Sequence, residues 1–136
     1  MAITNAFFET WRPRALALLR IVTAYLFITH GTAKLLGLPY QKVFDGLQLT
    51  SLIGVAGILE LVGGALLLIG LFTRPVAFVL CGFMAVAYFM AHATRGQPLM
   101  PMLNQGELAV LYCFVFLYFA VAGAGAWSVD ALRRRV

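Results

Sequence analysis

The chain has 136 residues, of which 62% are hydrophobic and 11% are charged, and its mean hydropathy is +0.93. A soluble chain this short needs more polar surface to cover what it buries, so the composition excludes an ordinary soluble domain. The net charge of +5 is spread over the ends of apolar runs, a pattern that fits membrane topology better than phosphate contacts and excludes nucleic acid as the expected partner.

Four apolar runs are each long enough to cross a hydrocarbon layer of about 30 Å. They cover residues 15–36, 50–71, 76–93 and 107–126. The sequence therefore predicts an all-α protein, a transmembrane four-helix bundle formed by a single domain over residues 1–136. The first run is longer than the apolar part of a signal peptide, so we expect it to be retained.

The basic residues outside these runs predict the orientation of the chain. With four crossings, both termini and the middle loop share one side of the membrane. That side carries Arg12, Arg14, Arg74, Arg133, Arg134 and Arg135. The other side carries only Lys34, Lys42 and Arg95. The positive-inside rule then predicts that both termini lie in the cytoplasm. We expect a multi-pass protein of the cell's inner (plasma) membrane.

The tail after the fourth run is predicted to form a short amphipathic helix over residues 128–135. Ser128 can cap its start, Asp130 falls in its first turn, and arginines occupy its last turn. This is the order of charges that a helix dipole favours. We expect such a helix to lie on a surface of anionic lipid.

Ionisable side chains within the predicted spans are the candidate functional residues. Each costs several kcal/mol in lipid unless it is paired, reaches the interface or faces water. The candidate polar cluster contains Arg20, His30, Lys34, Glu60, His92 and Glu107. A carboxyl as deep as that of Glu60 must be paired or protonated, whereas Lys34 and Arg20 could also be end anchors. His92 and Glu107 could also be interfacial residues.

The depth of each side chain predicts which ones meet. By helical rise, Glu60 lies about 15 Å and His30 about 9 Å below the outer ends of their helices. Because side chains lean toward the N-terminus of a helix, Glu60 leans outward and His30 leans inward. We therefore expect Glu60 to pair with His30 rather than with Arg20. We expect Glu107 to neutralise Lys34 in the same outward-facing cluster.

The sequence predicts no metal and no cofactor of its own. His30 and His92 could ligate a haem or a metal ion, but they differ in depth by about one turn, and no haem-attachment motif accompanies them. Cys81 and Cys113 are expected about 12 Å apart along the bilayer normal, too far for a disulfide. We interpret both cysteines as packing residues.

Three stretches resemble the DoxX family of small four-helix membrane proteins of bacteria and archaea. They are LLRIVTAYLFITHGTAKLLG, GILELVGGALLLIGLFTRPVA and NQGELAVLYCFVFLYFAVAGAGAWSVDAL. The third is the most specific, with Gly-Glu opening the helix and Gly-x-Gly then Ser-x-Asp after it. The family takes its name from a subunit of a thiosulfate:quinone oxidoreductase, and relatives are associated with membrane sulfur metabolism and oxidative-stress complexes. The resemblance implies these positions of interest: Arg20, His30, Gly31, Lys34, Glu60 and Glu107.

Two functions stay open. The first is a small subunit of a membrane redox complex, not catalytic alone, that docks a redox partner protein and holds a quinone. His30 or Lys34 would donate to a quinone carbonyl, with Glu60 as the nearby acid. The second is a structural scaffold or a carrier of a small anion or another small molecule. A homodimer through glycine-lined helix faces is compatible with both functions. Whether the chain is an enzyme is left undecided.

Overall fold

The protein is helical in the computed structural model, which describes residues 2–133, with side chains from residue 5 onward. Over this range the α-helices are α1 (Ala2–Leu36), α2 (Leu52–Ile69), α3 (Thr73–Ala87), α4 (Glu107–Ala122) and α5 (Val129–Arg133). A π-helical turn over Tyr88–His92 and a 3-10 turn over Ala93–Arg95 extend α3. The all-α prediction is confirmed. Arg134 and Arg135 of the predicted tail helix lie outside the described residues.

The predicted transmembrane character is also confirmed. Within the described part of the chain, three helices are long and apolar enough to cross a membrane: Asn5–Leu36, Leu52–Ile69 and Thr73–Arg95. The fourth predicted span forms the shorter apolar helix Glu107–Ala122. Its 16 residues extend about 24 Å, close to the thickness of a hydrocarbon layer.

The start of the first helix differs from the prediction, because α1 begins at Ala2 instead of Ala15 and runs through Pro13. Arg12 Nη1 donates to Glu9 Oε1 at 2.7 Å in this exposed extension. The apolar helix Asn5–Leu36 extends about 48 Å, which is more than the thickness of the hydrocarbon layer. Hydropathy marks only the apolar part of a helix and therefore misses a polar extension.

The chain forms two compact units. The first comprises residues 1–73 and 124–136, and the second comprises residues 74–123. In the first unit, α1 packs closely on α2 through glycine. A Cβ atom on Gly31 would lie 2.7 Å from the Leu61 nitrogen and 2.9 Å from the Gly57 carbonyl oxygen. This close approach of two backbones positions side chains of α1 directly against α2.

In the second unit, Asn104 holds the loop between α3 and α4. This side chain is buried, and its Nδ2 donates to Tyr88 Oη at 3.0 Å and to the Gln97 carbonyl oxygen at 3.2 Å. Its Oδ1 accepts from the Gly106 N–H at 2.9 Å, directly before α4 begins. The Tyr88 hydroxyl in turn donates to the Pro98 carbonyl oxygen at 2.7 Å. A single buried amide thus joins the end of α3 to the start of α4.

The predicted separation of the two cysteines was wrong, since Cys81 Sγ lies 3.7 Å from Cys113 Sγ. Cys81 comes eight residues after Thr73, where α3 begins, and Cys113 comes nine residues before Ala122, where α4 ends. The two side chains are therefore at nearly equal depth. The prediction measured depth from residues 76 and 126, and both of these helix ends were misplaced by three to four residues.

Candidate functional site

Lys34 and Glu60 form a direct ion pair between α1 and α2. Lys34 Nζ lies 2.6 Å from each of the two Glu60 carboxylate oxygens and donates to both. The two side chains are 15% and 8% exposed, respectively. A carboxylate this buried is costly unless a charge and hydrogen bonds compensate it, and the Lys34 ammonium supplies both.

The prediction of a cation on α1 for the Glu60 carboxylate is confirmed, and Lys34 fills that role where His30 was expected. Lys34 lies one turn beyond His30, and its side chain also leans toward the N-terminus, back toward the depth of Glu60. Its flexible four-carbon stem covers the remaining distance. His30 itself lies on the exposed side of α1. Glu60 thus neutralises the Lys34 ammonium, which was predicted to pair with Glu107.

Gly57 makes room for this pair on α2. A Cβ atom at Gly57 would lie 3.0 Å from Leu35 Cγ and 3.2 Å from Lys34 Cβ. A side chain at this position would therefore require the side chains of Leu35 and Lys34 to shift. Glycine at this position keeps Lys34 within reach of Glu60.

A pocket of about 330 Å³ opens beside Lys34, formed by the end of α1 and the loop that follows it. Its polar side chains are Lys34, Tyr40, Gln41 and Asp45. Lys34 Nζ lies 5.8 Å from the centroid of the Phe44 ring, a cation–π distance. The ammonium therefore contacts a carboxylate and an aromatic ring at the edge of an open cavity.

The loop residues Tyr40 and Asp45 complete the pocket. The Tyr40 hydroxyl donates to Asp45 Oδ2 at 2.8 Å. This hydrogen bond to a carboxylate raises the pKa of the Tyr40 phenol, so the phenol stays protonated at neutral pH. Sequence reasoning missed both residues because it searched for ionisable groups inside the spans. A tyrosine and an aspartate in the loop directly after the lysine of α1 were the available signal.

Arg20 belongs to a separate place in the first unit. Fourteen residues separate it from Lys34, which corresponds to about 21 Å along α1. Its side chain is 0% exposed, so it is not an end anchor at the membrane surface. Arg20 was predicted to belong to the polar cluster, but in the structure its guanidinium lies apart from Lys34.

The Arg20 guanidinium is held by backbone carbonyl groups. Nη1 donates to the carbonyl oxygens of Leu67 at 2.5 Å and Leu68 at 2.6 Å, in the last turn of α2. Nε donates to the Ala124 oxygen at 2.8 Å, and Nη2 donates to the Trp127 oxygen at 2.9 Å. The last carbonyls of a helix lack partners within the helix and carry partial negative charge. Arg20 thus caps α2 and fastens the segment after α4 to α1.

Residues of the Gly-x-Gly and Ser-x-Asp motifs surround this arginine. Gly70 ends α2 with φ 67°, and a Cβ atom there would collide with Ser128 and lie 3.0 Å from Arg20 Cζ. A Cβ atom on Gly125 would lie 2.6 Å from the Pro13 carbonyl oxygen. Gly70 and Gly125 thus allow the chain to fold closely around the guanidinium. This close folding is a physical reason for the second glycine of the Gly-x-Gly motif.

Asp130 binds the turn between α2 and α3. Its carboxylate accepts from the N–H groups of Phe72 at 2.9 Å and Thr73 at 2.8 Å. Burial of the carboxyl opposes ionisation, but these hydrogen bonds and the charge of Arg133 outweigh it and lower the pKa of Asp130. The Asp130 N–H also donates to the Gly70 oxygen at 2.9 Å.

His92 and Glu107 lie in the second unit. His92 ends the π-helical turn, its Nδ1 lies 3.3 Å from the Asn104 carbonyl oxygen, and its ring stacks on Tyr88 with centroids 6.3 Å apart. Glu107 begins α4 and is exposed, at the end of the helix where a negative charge is favoured. Sequence reasoning missed Asn104, whose signal was an asparagine two residues before the Gly-Glu that opens α4.

Comparison with known proteins identifies the family, because the DoxX family profile matches residues 15–93. The chain belongs to the DoxX family. The matched residues of this DoxX protein include Arg20, Lys34 and Glu60, whereas the third resembling stretch lies beyond them.

Two relatives of this DoxX protein extend the match over most of the chain. An "Uncharacterized protein" of Haemophilus influenzae strain Rd is 50% identical over 124 residues, which cover 90% of this chain and 92% of the relative. The "Inner membrane protein YqjF" of Escherichia coli K12 is 30% identical over 120 residues, which cover 83% and 87%, respectively. No solved structure matches the chain. The DoxX protein is a multi-pass protein of the inner membrane.

Proposed function

We propose that this DoxX protein is a small subunit of a membrane redox complex and that its Lys34–Glu60 pair holds the head group of a quinone. The observation that carries the proposal is a buried ion pair whose ammonium borders an open pocket. An ammonium has three N–H donors, and Lys34 uses two of them on Glu60. The third is available to a carbonyl oxygen of a ligand.

The residues present fit a quinone head group, which is a flat ring with carbonyl oxygens. Lys34 supplies an N–H donor, and the Phe44 ring supplies an aromatic face on the same pocket. A volume of about 330 Å³ lies within the range of small-molecule sites, which is roughly 300–1,000 Å³. The pocket therefore has the size for a single-ring head group and a charged donor for one of its carbonyl oxygens.

A bound quinone would supply chemistry that transfers two electrons and two protons, and the protein would position the ring and move protons. Lys34 Nζ would donate to the carbonyl oxygen and could transfer its proton there. Glu60 holds Lys34 in place through both of its carboxylate oxygens. If Lys34 lost its proton, the pair would carry a net negative charge, which favours a proton returning through the open side of the pocket.

A structural scaffold is the second candidate, and the Arg20 site favours it. The fully buried guanidinium ties α1 to the end of α2 and to the segment after α4 through hydrogen bonds to backbone carbonyls. Such a network stabilises a fold without needing any ligand. The two functions differ in what Glu60→Gln does: in a scaffold this variant fails to fold, whereas in a ligand site it stays folded and loses its ligand.

The deciding experiment is purification of the protein from native membranes in mild detergent, followed by mass spectrometry of bound quinones and proteins. We expect near-stoichiometric quinone in the wild type. We expect at least a tenfold loss in Lys34→Met, because one hydrogen bond from a charged donor contributes about 1.5–3 kcal/mol. The double variant Lys34→Met, Glu60→Met avoids leaving a lone buried carboxylate and should lose quinone equally.

Arg12→Gln is the matched control, since Arg12 is an exposed arginine paired with Glu9 on the same helix. It should retain quinone at the wild-type level. Wild-type protein that carries no quinone, but purifies with a stable set of partner proteins, would contradict the quinone proposal and support the scaffold.

A further inference from the structure

Cys81 on α3 and Cys113 on α4 bring their sulfur atoms into contact inside the second unit. The two sulfur atoms are 3.7 Å apart, and both cysteines are free and half-buried. A disulfide bond is about 2.0 Å long, so each sulfur would have to move by less than about 1 Å to form one.

We propose that Cys81 and Cys113 form an intramembrane dithiol that a membrane quinone oxidises to a disulfide. The sequence alone offered no cysteine pair, so the redox chemistry expected from it depended on a cofactor held by a partner. The dithiol is a group within this chain that can give up two electrons. It lies apart in sequence from the pocket at Lys34, and its chemistry does not use that pocket.

The surroundings of the dithiol determine which oxidant suits it. Cys81 lies about 12 Å along α3 from the helix start at Thr73, within an apolar span. A Cβ atom on the next residue, Gly82, would meet nothing within 4 Å, and Phe114 beside Cys113 is 62% exposed. Both cysteines are themselves partly exposed, so a lipid-soluble molecule can approach the sulfur pair from the apolar surface of the second unit.

A quinone also matches the dithiol in charge. Oxidation by thiol–disulfide exchange requires a thiolate. A thiolate would place a negative charge in a hydrocarbon environment, which is costly. In the proposed reaction both S–H bonds break and one S–S bond forms, while two electrons and two protons pass to the two quinone oxygens. The products are a disulfide and a hydroquinone, and neither carries a charge. The disulfide would then join α3 to α4 covalently.

The test uses the full chain, purified in detergent, reduced and freed of reductant, with decylubiquinone as the probe. Its ring is fully substituted, so thiols cannot add to it. We expect the number of thiols that alkylate under denaturing conditions to fall from two to none, since the chain has two cysteines. The intact mass should fall by two hydrogen atoms, and one hydroquinone should form per protein.

Cys81→Ser and Cys113→Ser are the matched variants. Each should produce no hydroquinone and no disulfide within the chain. If either fails to fold, the thiol count of the wild type still tests the proposal. Thiols that stay free with decylubiquinone, although copper–phenanthroline links them, would overturn it, as would a disulfide only between two chains. Arg12→Gln, at an exposed ion pair outside both sites, should form hydroquinone at the wild-type level. Quinone retention in Lys34→Met tests the pocket, whereas the thiol count of the wild type tests the dithiol, so the two proposals can fail separately.

Discussion

Lys34 and Arg20 are both cations that α1 carries into the apolar first unit, yet they are neutralised in different ways. Lys34 is held by the Glu60 carboxylate and borders an open pocket. Arg20 is held by backbone carbonyls, which cannot change their protonation state, and its side chain has no exposed surface. A cation paired with another titratable side chain can exchange protons and accept a ligand, whereas one enclosed by carbonyls serves the fold.

The largest expected effect follows from removing the Arg20 guanidinium. Arg20→Met leaves the last carbonyls of α2 and those of the segment after α4 without donors, and we expect a loss of about 3–5 kcal/mol in the free energy of unfolding. Thermal unfolding in detergent and the yield of folded protein measure it. Arg20→Lys should recover only part of this loss, because an ammonium lacks the planar fork of donors. Arg12→Gln should change almost nothing, as befits an exposed ion pair.

The contact between α1 and α2 can be broken at Gly31. Gly31→Leu places a side chain where even a Cβ atom is 2.7 Å from the Leu61 nitrogen, so we expect a cost of about 1–3 kcal/mol and a weaker Lys34–Glu60 pair. Gly82→Leu is the matched control, because a Cβ atom there meets nothing within 4 Å. Equal unfolding temperatures for the two variants would contradict the close packing of α1 on α2.

Glu60→Gln is the most direct test of the difference between the Lys34 and Arg20 sites. The amide keeps the shape and one acceptor but removes the negative charge, and Lys34 can turn toward the open pocket. We therefore expect a stability loss of about 1–2 kcal/mol, smaller than that of Arg20→Met, together with lower quinone retention. Unfolding measurements on the same preparations used for quinone analysis decide it. A loss as large as that of Arg20→Met would assign Glu60 to the scaffold.

The smallest effect is expected at Asp130 and depends on pH. The pKa of Asp130 is lower in the folded protein than the value of about 3.9 in an unfolded chain. Its stabilisation is therefore complete above that unfolded value and is lost as the pH falls through the folded pKa. At neutral pH, Asp130→Asn should cost about 1 kcal/mol, as for the loss of a helix cap. The difference in unfolding temperature between wild type and variant should shrink between pH 5 and pH 3 if this cap works as described.

Particular residues show how far sequence reasoning reached. It located Glu60 as a buried carboxyl in need of a cation on α1, because an uncompensated charge in hydrocarbon is too costly to occur. It favoured His30 over Arg20 as the partner of Glu60 and assigned Lys34 to Glu107, because it considered the lean of each side chain but not the reach of a lysine stem. It gave Arg20 the same kind of role as Lys34, because hydropathy does not indicate which carbonyls a guanidinium will meet. Tyr40, Asp45 and Asn104 were missed because their roles depend on how loops fold.

The cysteines illustrate the same limit at smaller scale. An error of three to four residues in two helix ends changed an expected separation of about 12 Å into a sulfur contact of 3.7 Å. Helix ends depend on caps and turns, which a hydropathy pattern defines poorly. Any prediction that compares depths on two helices inherits both errors.

Composition and hydropathy alone were enough to establish a multi-pass helical membrane protein. The free-energy cost of burying polar backbone and charge in lipid is large, and it depends on the local sequence of each segment. The partners of Lys34, Arg20 and the cysteines came only from the folded chain. Those partners lie 26 to 107 residues away in sequence, and their meeting depends on helix register, side-chain reach and loop path. These quantities arise from packing between segments, which no single stretch of sequence contains.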